Sequence, residues 1–269
     1  MDETLVFVLP GGNPTTIVGD WAYLERPDVF VRLMRDTQAE QAGSIRVRKG
    51  VVHLRMMGWE FSLNGLVAAA IASQAISGER ARFCSLVCDL GDDHVDAIAE
   101  LTWQGPISAI VRLQIENFWS RVVTSERDSS RSMVHMKGIA HSLISTSSFQ
   151  QARRSLAKRL IDAERAPAPA RTVLFHSDLD SDVVDLEPYV YVRDVRSFVR
   201  ETSCGSGAVA LGMAAFALRS IKQVHVRQPS GTIVKVEVAL SKSDRCNWSV
   251  SYETVAHATL GPVLPEPLA

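Results

Sequence analysis

Two segments of this 269-residue chain read as copies of one device. Residues 61–70 run Phe-Ser-Leu-Asn-Gly-Leu-Val-Ala-Ala-Ala, and residues 203–212 run Ser-Cys-Gly-Ser-Gly-Ala-Val-Ala-Leu-Gly. In each, a Ser or Cys and a small polar residue precede a glycine, and an alanine-rich stretch follows. The pattern predicts helices over Leu66–Ser77, closed by Gly78, and over Ala208–Arg219. Both are apolar on every side, so each must be buried all round. The unpaired N–H groups at such helix starts, with the positive end of the helix dipole, favour an anion in front of them. A thiol placed there loses its proton more easily and becomes a usable base or nucleophile, so Cys204 is expected below the free-thiol value of about 8.5. Two such devices facing each other would bracket one small molecule that carries a carboxylate.

The elements around these segments recur in one order: strand–turn–strand, helix, hairpin, polar turn, buried helix. In the first half, Leu5–Val8 and Thr15–Val18 are strands about the turn Pro10-Gly11-Gly12-Asn13-Pro14. Pro27 opens a helix with the apolar stripe Phe30, Leu33 and Met34. Ser44–Val47 and Val51–Met56 alternate about Lys49-Gly50 as a hairpin, and Arg82–Cys88, Ala97–Trp103 and Ser108–Ile115 are strands. In the second half, Ser132–Met136 and Leu143–Ser145 flank Lys137-Gly138, and Gln150–Glu164 is a basic amphipathic helix with an exposed face. Strands follow at Thr172–His176 and Tyr189–Arg193, with hairpin-rich strands from Val224 to Thr254 beyond the second buried helix. An internal duplication accounts for both halves, with domains 1–105 and 106–269 meeting at Gly105-Pro106.

A formal net charge of -1 with 22% charged residues leaves no electrostatic footprint for nucleic acid. The longest apolar runs are too short to cross a bilayer and no secretory pattern opens the chain, so neither a membrane nor a nucleic acid is an expected partner and the cytoplasm is the expected location. The 4 cysteines form no Cys-x-x-Cys pair; Cys84 and Cys88 share one strand face as packing thiols, and Cys246 lies in a turn. The 7 histidines form no ligand cluster and no lysine sits in a Schiff-base context, so no metal and no cofactor is expected.

Three segments together resemble the diaminopimelate epimerase-like family of cofactor-independent amino-acid racemases and epimerases, which also includes phenazine-biosynthesis isomerases. They are Gly12-Asn13-Pro14-Thr15, Glu60-Phe61-Ser62-Leu63-Asn64-Gly65 and Arg200-Glu201-Thr202-Ser203-Cys204-Gly205-Ser206-Gly207-Ala208, the last being the most specific. Weaker echoes are Glu40-Gln41 and Gly138-Ile139-Ala140-His141, both near substrate in the family. The resemblance implies an α/β fold of the α+β kind. It consists of two pseudo-symmetric domains, each a barrel-like mixed sheet around a central helix, with the active site in the interdomain cleft. A small amino acid is the implied substrate and a homodimer the expected assembly.

In the family, two cysteines flank the substrate α-carbon; one thiolate removes the α-proton while the opposite thiol returns one. Cys204 is similar to the second cysteine, with Gly205, Ser206 and Gly207 as its anion-binding turn and Asn64 with Gly65 as the first one. The resemblance further places Asn13, Gln41, His141, Glu201 and Thr202 beside substrate. Arg196 lies near the position of a family Glu-Arg pair that holds the amino and carboxylate groups. Loops 20–26 and 177–187 would meet the substrate side chain. The departure is Ser62, which stands where the family has its first cysteine, beside Leu63 in place of a glycine. A hydroxyl without an adjacent base is a poor acceptor for a carbon-bound proton. Glu60, two residues earlier in an extended segment, points the same way. Three readings stay open: an epimerase in which Ser62 donates or relays a proton; a one-base hydroxy-amino-acid dehydratase or isomerase; and an amino-acid-binding homologue whose cysteine was lost or exchanged. A plain helix cap is also open to Ser62.

Overall fold

The computed structural model describes residues 5–19, 27–105, 107–124, 131–146, 153–163, 168–241, 244 and 246–260. The first half runs β1 (Leu5–Pro10), β2 (Thr15–Val18), α1 (Pro27–Thr37), β3 (Gln41–Arg48), β4 (Val51–Met56), α2 (Leu63–Ser77), β5 (Phe83–Asp89), β6 (His94–Trp103) and β7 (Ser108–Thr124). The second runs β8 (Arg131–Met136), β9 (Ile139–Ser145), α3 (Arg153–Ala163), β10 (Ala170–His176), β11 (Val184–Val192), β12 (Ser197–Arg200), α4 (Gly205–Arg219), β13 (Gln223–Arg227), β14 (Ile233–Leu240) and β15 (Asn247–Leu260). Apart from the added strand β12, the second half repeats the first in order. The expected loop 20–26 and Pro106 lie outside the described residues.

All strands join one mixed 15-stranded sheet, and its extra pairings β10–β11 and β7–β15 close it into two rings. One ring passes from β1 through β7 to β15 and back to β1; the other passes from β7 through β8 to β11, then β13 to β15. Parallel neighbours fall at matching places, β2 with β3 and β4 with β5 in one ring, β9 with β10 and β11 with β13 in the other. Helix α2 fills the first ring and α4 the second, so the core is threaded by two buried helices. Alternation along the strands supports this; β6, β8 and β14 bury every second residue toward the helices. Among the described residues no helix is long and apolar enough to cross a membrane.

Two local outcomes differ from the sequence expectation. The buried helices begin three residues earlier than Leu66 and Ala208, because the Leu66 and Ala208 amides already bond to the Ser62 and Cys204 carbonyls at 3.0 Å. Strand β7 also continues past Ile115. Asn117 takes a positive φ of 53°, and the register with β15 shifts between Trp248 and Val250, a bulge that lets the strand run on into its pairing with β8.

Leu66 is fully buried on α2, whereas Ile76 near the end of the same helix is 41% exposed. Leu66→Ala is expected to cost about 2–5 kcal/mol, against about 0.5 kcal/mol or less for Ile76→Ala, as read by chemical denaturation. Equal costs would mean that α2 is not packed inside the ring.

Candidate active site

The N-termini of α2 and α4 point at each other. A Cβ added to Gly205 would lie 2.8 Å from Leu63 Cβ and 3.0 Å from Asn64 Oδ1, so only glycine permits this approach. Ser62 caps α2 from an extended backbone (φ -134°, ψ 115°), its Oγ accepting from the Gly65 amide at 2.9 Å. Cys204 occupies the matching position on α4 with a similar backbone (φ -129°, ψ 99°), but its side chain caps nothing. The Cys204 amide instead donates to Gln228 Oε1 at 3.0 Å, which leaves the sulfur free for other partners.

Residues of the first half hold the loop before Cys204. Asn13 and Asn64 each donate an amide hydrogen to the Ser203 carbonyl at 2.8 Å, and Thr15 Oγ1 donates to Asn13 Oδ1 at 2.8 Å. Glu40 accepts from the Thr202 amide and from Asn13 Nδ2, both at 2.9 Å, while Thr202 Oγ1 donates to the Gly12 carbonyl. Asn13 and Thr202 therefore stand behind the reactive loop and fix it. Gly65 and Gly207 act through backbone: each sits in the first helical turn, and the Gly207 amide favours charge on the Cys204 sulfur.

Ser62, Asn64, Gln41, Glu201, Cys204 and Ser206 line one small cavity that is partly open to solvent. Gly205 and Phe61 border it too, and β11 and β12 supply the apolar wall Val190, Val192 and Val199. A hydrogen-bonded chain crosses it. Ser62 Oγ donates to Gln41 Oε1 at 2.7 Å, and Gln41 Nε2 donates to Glu201 Oε1 at 3.0 Å. Glu201 and Cys204 face the same cavity, where the Cys204 Sγ is 3.7 Å from Ser206 Oγ.

Three carboxyl groups, Glu40, Glu60 and Glu201, line the cavity, and among the described residues no Lys, Arg or His does. Burial pushes Glu201 up to about 8, helped by the nearby charges of Glu40 and Glu60. Burial likewise pushes Glu60 up to about 7 and raises Glu40. The expected depression of the Cys204 thiol is overturned. Burial and the Glu201 charge hold it well above the ordinary thiol value, outweighing the Gly207 amide and the Ser206 hydroxyl.

The structure does not bring His141 or Arg196 to the cavity. His141 shares the inward face of β9 with Ile139, which does line it, but sits two residues deeper. Its Nδ1 pairs with Thr172 Oγ1 at 2.7 Å, and full burial pushes the ring down to about 3, leaving it neutral. Arg196 lies exposed in the turn between β11 and β12 (φ 51°) and does not line the cavity. The 177–187 segment does not line the cavity either. Sequence reasoning left Gln228 unassigned and reached Glu40 only within the weak echo Glu40-Gln41. Glu60 was signalled only by its two-residue spacing from Ser62.

A family model described as the histidine racemase CntK N-terminal domain matches residues 5–260. A histidine racemase of Fusobacterium nucleatum subsp. nucleatum is 26% identical over 233 residues, covering 82% of this chain and 84% of that protein. Among solved structures, a predicted epimerase of Pseudomonas aeruginosa superposes with TM-score 0.66 at 12% identity, covering 99% of this chain and 100% of that one. A hydroxyproline epimerase of Agrobacterium vitis does so with TM-score 0.58 at 12% identity, covering 98% and 93%. At these identities the solved structures show a shared fold.

The buried carboxyls set a pH dependence of stability. Glu60 and Glu201 keep their protons to about 7 and about 8 in the folded chain, against 4.5 for the same groups in water. Within that window the folded state binds more protons than the unfolded one, so stability falls as pH rises. The thermal midpoint should decline from about pH 5 to about pH 8.5, and Glu60→Gln or Glu201→Gln should flatten the slope. A midpoint that climbs across the window would contradict neutral buried carboxyls.

Proposed function

Because this chain belongs to the histidine racemase CntK family, whose relatives here are racemase- and epimerase-type isomerases, we propose that it inverts the α-carbon of a basic amino acid without pyridoxal phosphate or any other cofactor. The observation that carries this reading is the pairing of Ser62 and Cys204, the N-cap residues of two buried helices, at one acid-lined cavity. We read the chain as two pseudo-symmetric domains, 1–105 and 106–269, with this cavity between them, working in the cytoplasm as a homodimer.

The substrate carboxylate sits against the amides that open α2 and α4, where donors and dipoles are already oriented for the enediolate that forms when the α-proton leaves. The ammonium group faces Glu201. Cys204, as thiolate, removes the α-proton, and Ser62 stands on the opposite side, where relatives of the resembling family carry a second cysteine. Three carboxyl groups exceed what one ammonium needs, so a second positive charge on the substrate side chain is favoured over a neutral one. Histidine, the substrate named for the relatives, is the first to test. The dehydratase reading needs the Ser62 hydroxyl at a substrate β-substituent, and that hydroxyl is engaged by Gln41 and Gly65.

Incubation with basic and neutral amino acids in deuterated water, followed by NMR, should show α-proton exchange for histidine or another basic amino acid, faster for one enantiomer than for its mirror image. Cys204→Ala should remove all exchange while leaving the fold intact, and exhaustive chelation should leave activity unchanged. Exchange that survives Cys204→Ala, or that vanishes on chelation, would overturn the assignment.

A further inference from the structure

We infer that Glu60 is the specificity-determining residue of this site, the carboxyl that receives the positive charge on the substrate side chain. This rests on the α-proton chemistry proposed above and names the group that selects its substrate.

The three carboxyls of the cavity are not equally free. Glu40 is committed to the protein: its oxygens accept from the Thr202 amide at 3.1 and 2.9 Å, and Oε2 also accepts from Asn13 Nδ2 at 2.9 Å. Glu201 gives Oε1 to Gln41 at 3.0 Å, while its buried Oε2 has no hydrogen-bond partner among the described residues. Asn64 is in the same condition, since Nδ2 is taken up by the Ser203 carbonyl and the buried Oδ1 has no partner among them. Both residues line the cavity, Asn64 1% exposed and Glu201 4%. The two orphaned atoms are acceptors, so a ligand that satisfies them must bring N–H or O–H donors, as an α-ammonium group does. Glu60 is the carboxyl that remains.

The local backbone explains why Glu60 faces inward. Gly58 passes so close to β11 that a Cβ there would lie 2.2 Å from Val192 Cγ1, an approach only glycine permits. Trp59 follows at φ 60°, a left-handed conformation that strains a bulky residue, with its amide bonded to the Met56 carbonyl at 3.1 Å. The Arg55 guanidinium lies over the Trp59 ring, 4.0 Å from its centroid, and is itself fixed by Asp89 at 2.7 Å. The turn brings the Gly58 amide to Glu60 Oε2 at 2.9 Å. Such strain persists only where the surroundings enforce it, and what it delivers here is a carboxyl, 5% exposed, on the cavity wall.

The would-be Gly58 Cβ also lies 2.9 Å from Glu60 Oε2, so Val192 is a neighbour of that carboxyl and leads into the apolar wall of Val190 and Val199. A carboxylate withdrawn from water is destabilising unless a cation accompanies it. Burial, with the Asp194 charge adding to it, raises Glu60 to about 7, and an arriving cation favours the ionised form. An apolar wall that ends in one carboxylate fits a flat or alkyl side chain carrying one positive charge, an imidazolium or a side-chain ammonium.

The test compares histidine and lysine with their neutral counterparts, thiazolylalanine and norleucine, at about pH 7, where part of the imidazole is protonated. Exchange of the α-proton gives kcat/KM, and calorimetry gives affinity. In the native protein each cationic member should exceed its neutral counterpart by roughly 10- to 100-fold in kcat/KM. Glu60→Gln should reduce that ratio to within about threefold, weakening the cationic member and improving the neutral one. Glu60→Asp keeps the charge and should keep the preference. No preference in the native protein, or one that survives Glu60→Gln, would overturn the inference; so would an equal loss for both members of each pair, which would leave Glu60 as a brace for the turn at Gly58. If no amino acid exchanges at all, the proposed function fails while calorimetry still decides the role of Glu60. Histidine should then bind Glu60→Gln at least about tenfold more weakly than the native protein, and equal affinity, or no binding to either, overturns the assignment.

Discussion

Burying a helix on all sides buries its first turn, and the N–H groups there have no partner inside the helix. Much of the described polar architecture follows from meeting that demand twice in one place. Ser62 answers for α2 with its own hydroxyl, and Gln228 reaches in to answer for Cys204 at α4. Asn13 and Asn64 converge on the Ser203 carbonyl and so tie the start of one helix to the first half of the chain. The same cluster then supplies what α-proton chemistry would use: oriented donors for an anion, a thiol, and carboxyls kept away from water.

How much of this was legible in the sequence depended on whether the information was local. The bodies of α2 and α4 were readable because apolar residues, mostly Ala with Val and Leu, fill every face of both. Their first turns were not, since Leu-Asn-Gly and Gly-Ser-Gly carry turn chemistry and low helix propensity that only the cap bonds override. The full length of β7 was hidden by Glu116-Asn117, which reads as a strand end and is in fact a bulge. Motif residues nearest the reactive helix starts, Ser62, Asn64, Glu201, Cys204 and Ser206, do line one cavity. His141 and Arg196 do not, because strand depth and turn direction are set by neighbouring strands rather than by adjacent sequence. The raised carboxyls were illegible for a related reason: Glu40, Glu60 and Glu201 lie far apart in the chain and meet only when the halves close on each other.

That concentration of acid also explains why the thiol defies the simple helix-dipole expectation. A dipole favours an anion only where water or donors share the charge, and here burial and Glu201 oppose ionisation together. The resting site therefore stores its protons.

The β7–β15 pairing limits how far either half can stand alone. The first ring closes only through a strand from the end of the chain, and the second only through a strand from its middle. Each repeat thus lends the other its final strand, as two subunits do in a reciprocal strand exchange. A fragment ending at Thr124 would expose unpaired edges on both β1 and β7, which are templates for aggregation. A single repeat could complete its ring only as a pair of copies exchanging that strand, and joining both repeats in one chain makes the exchange intramolecular.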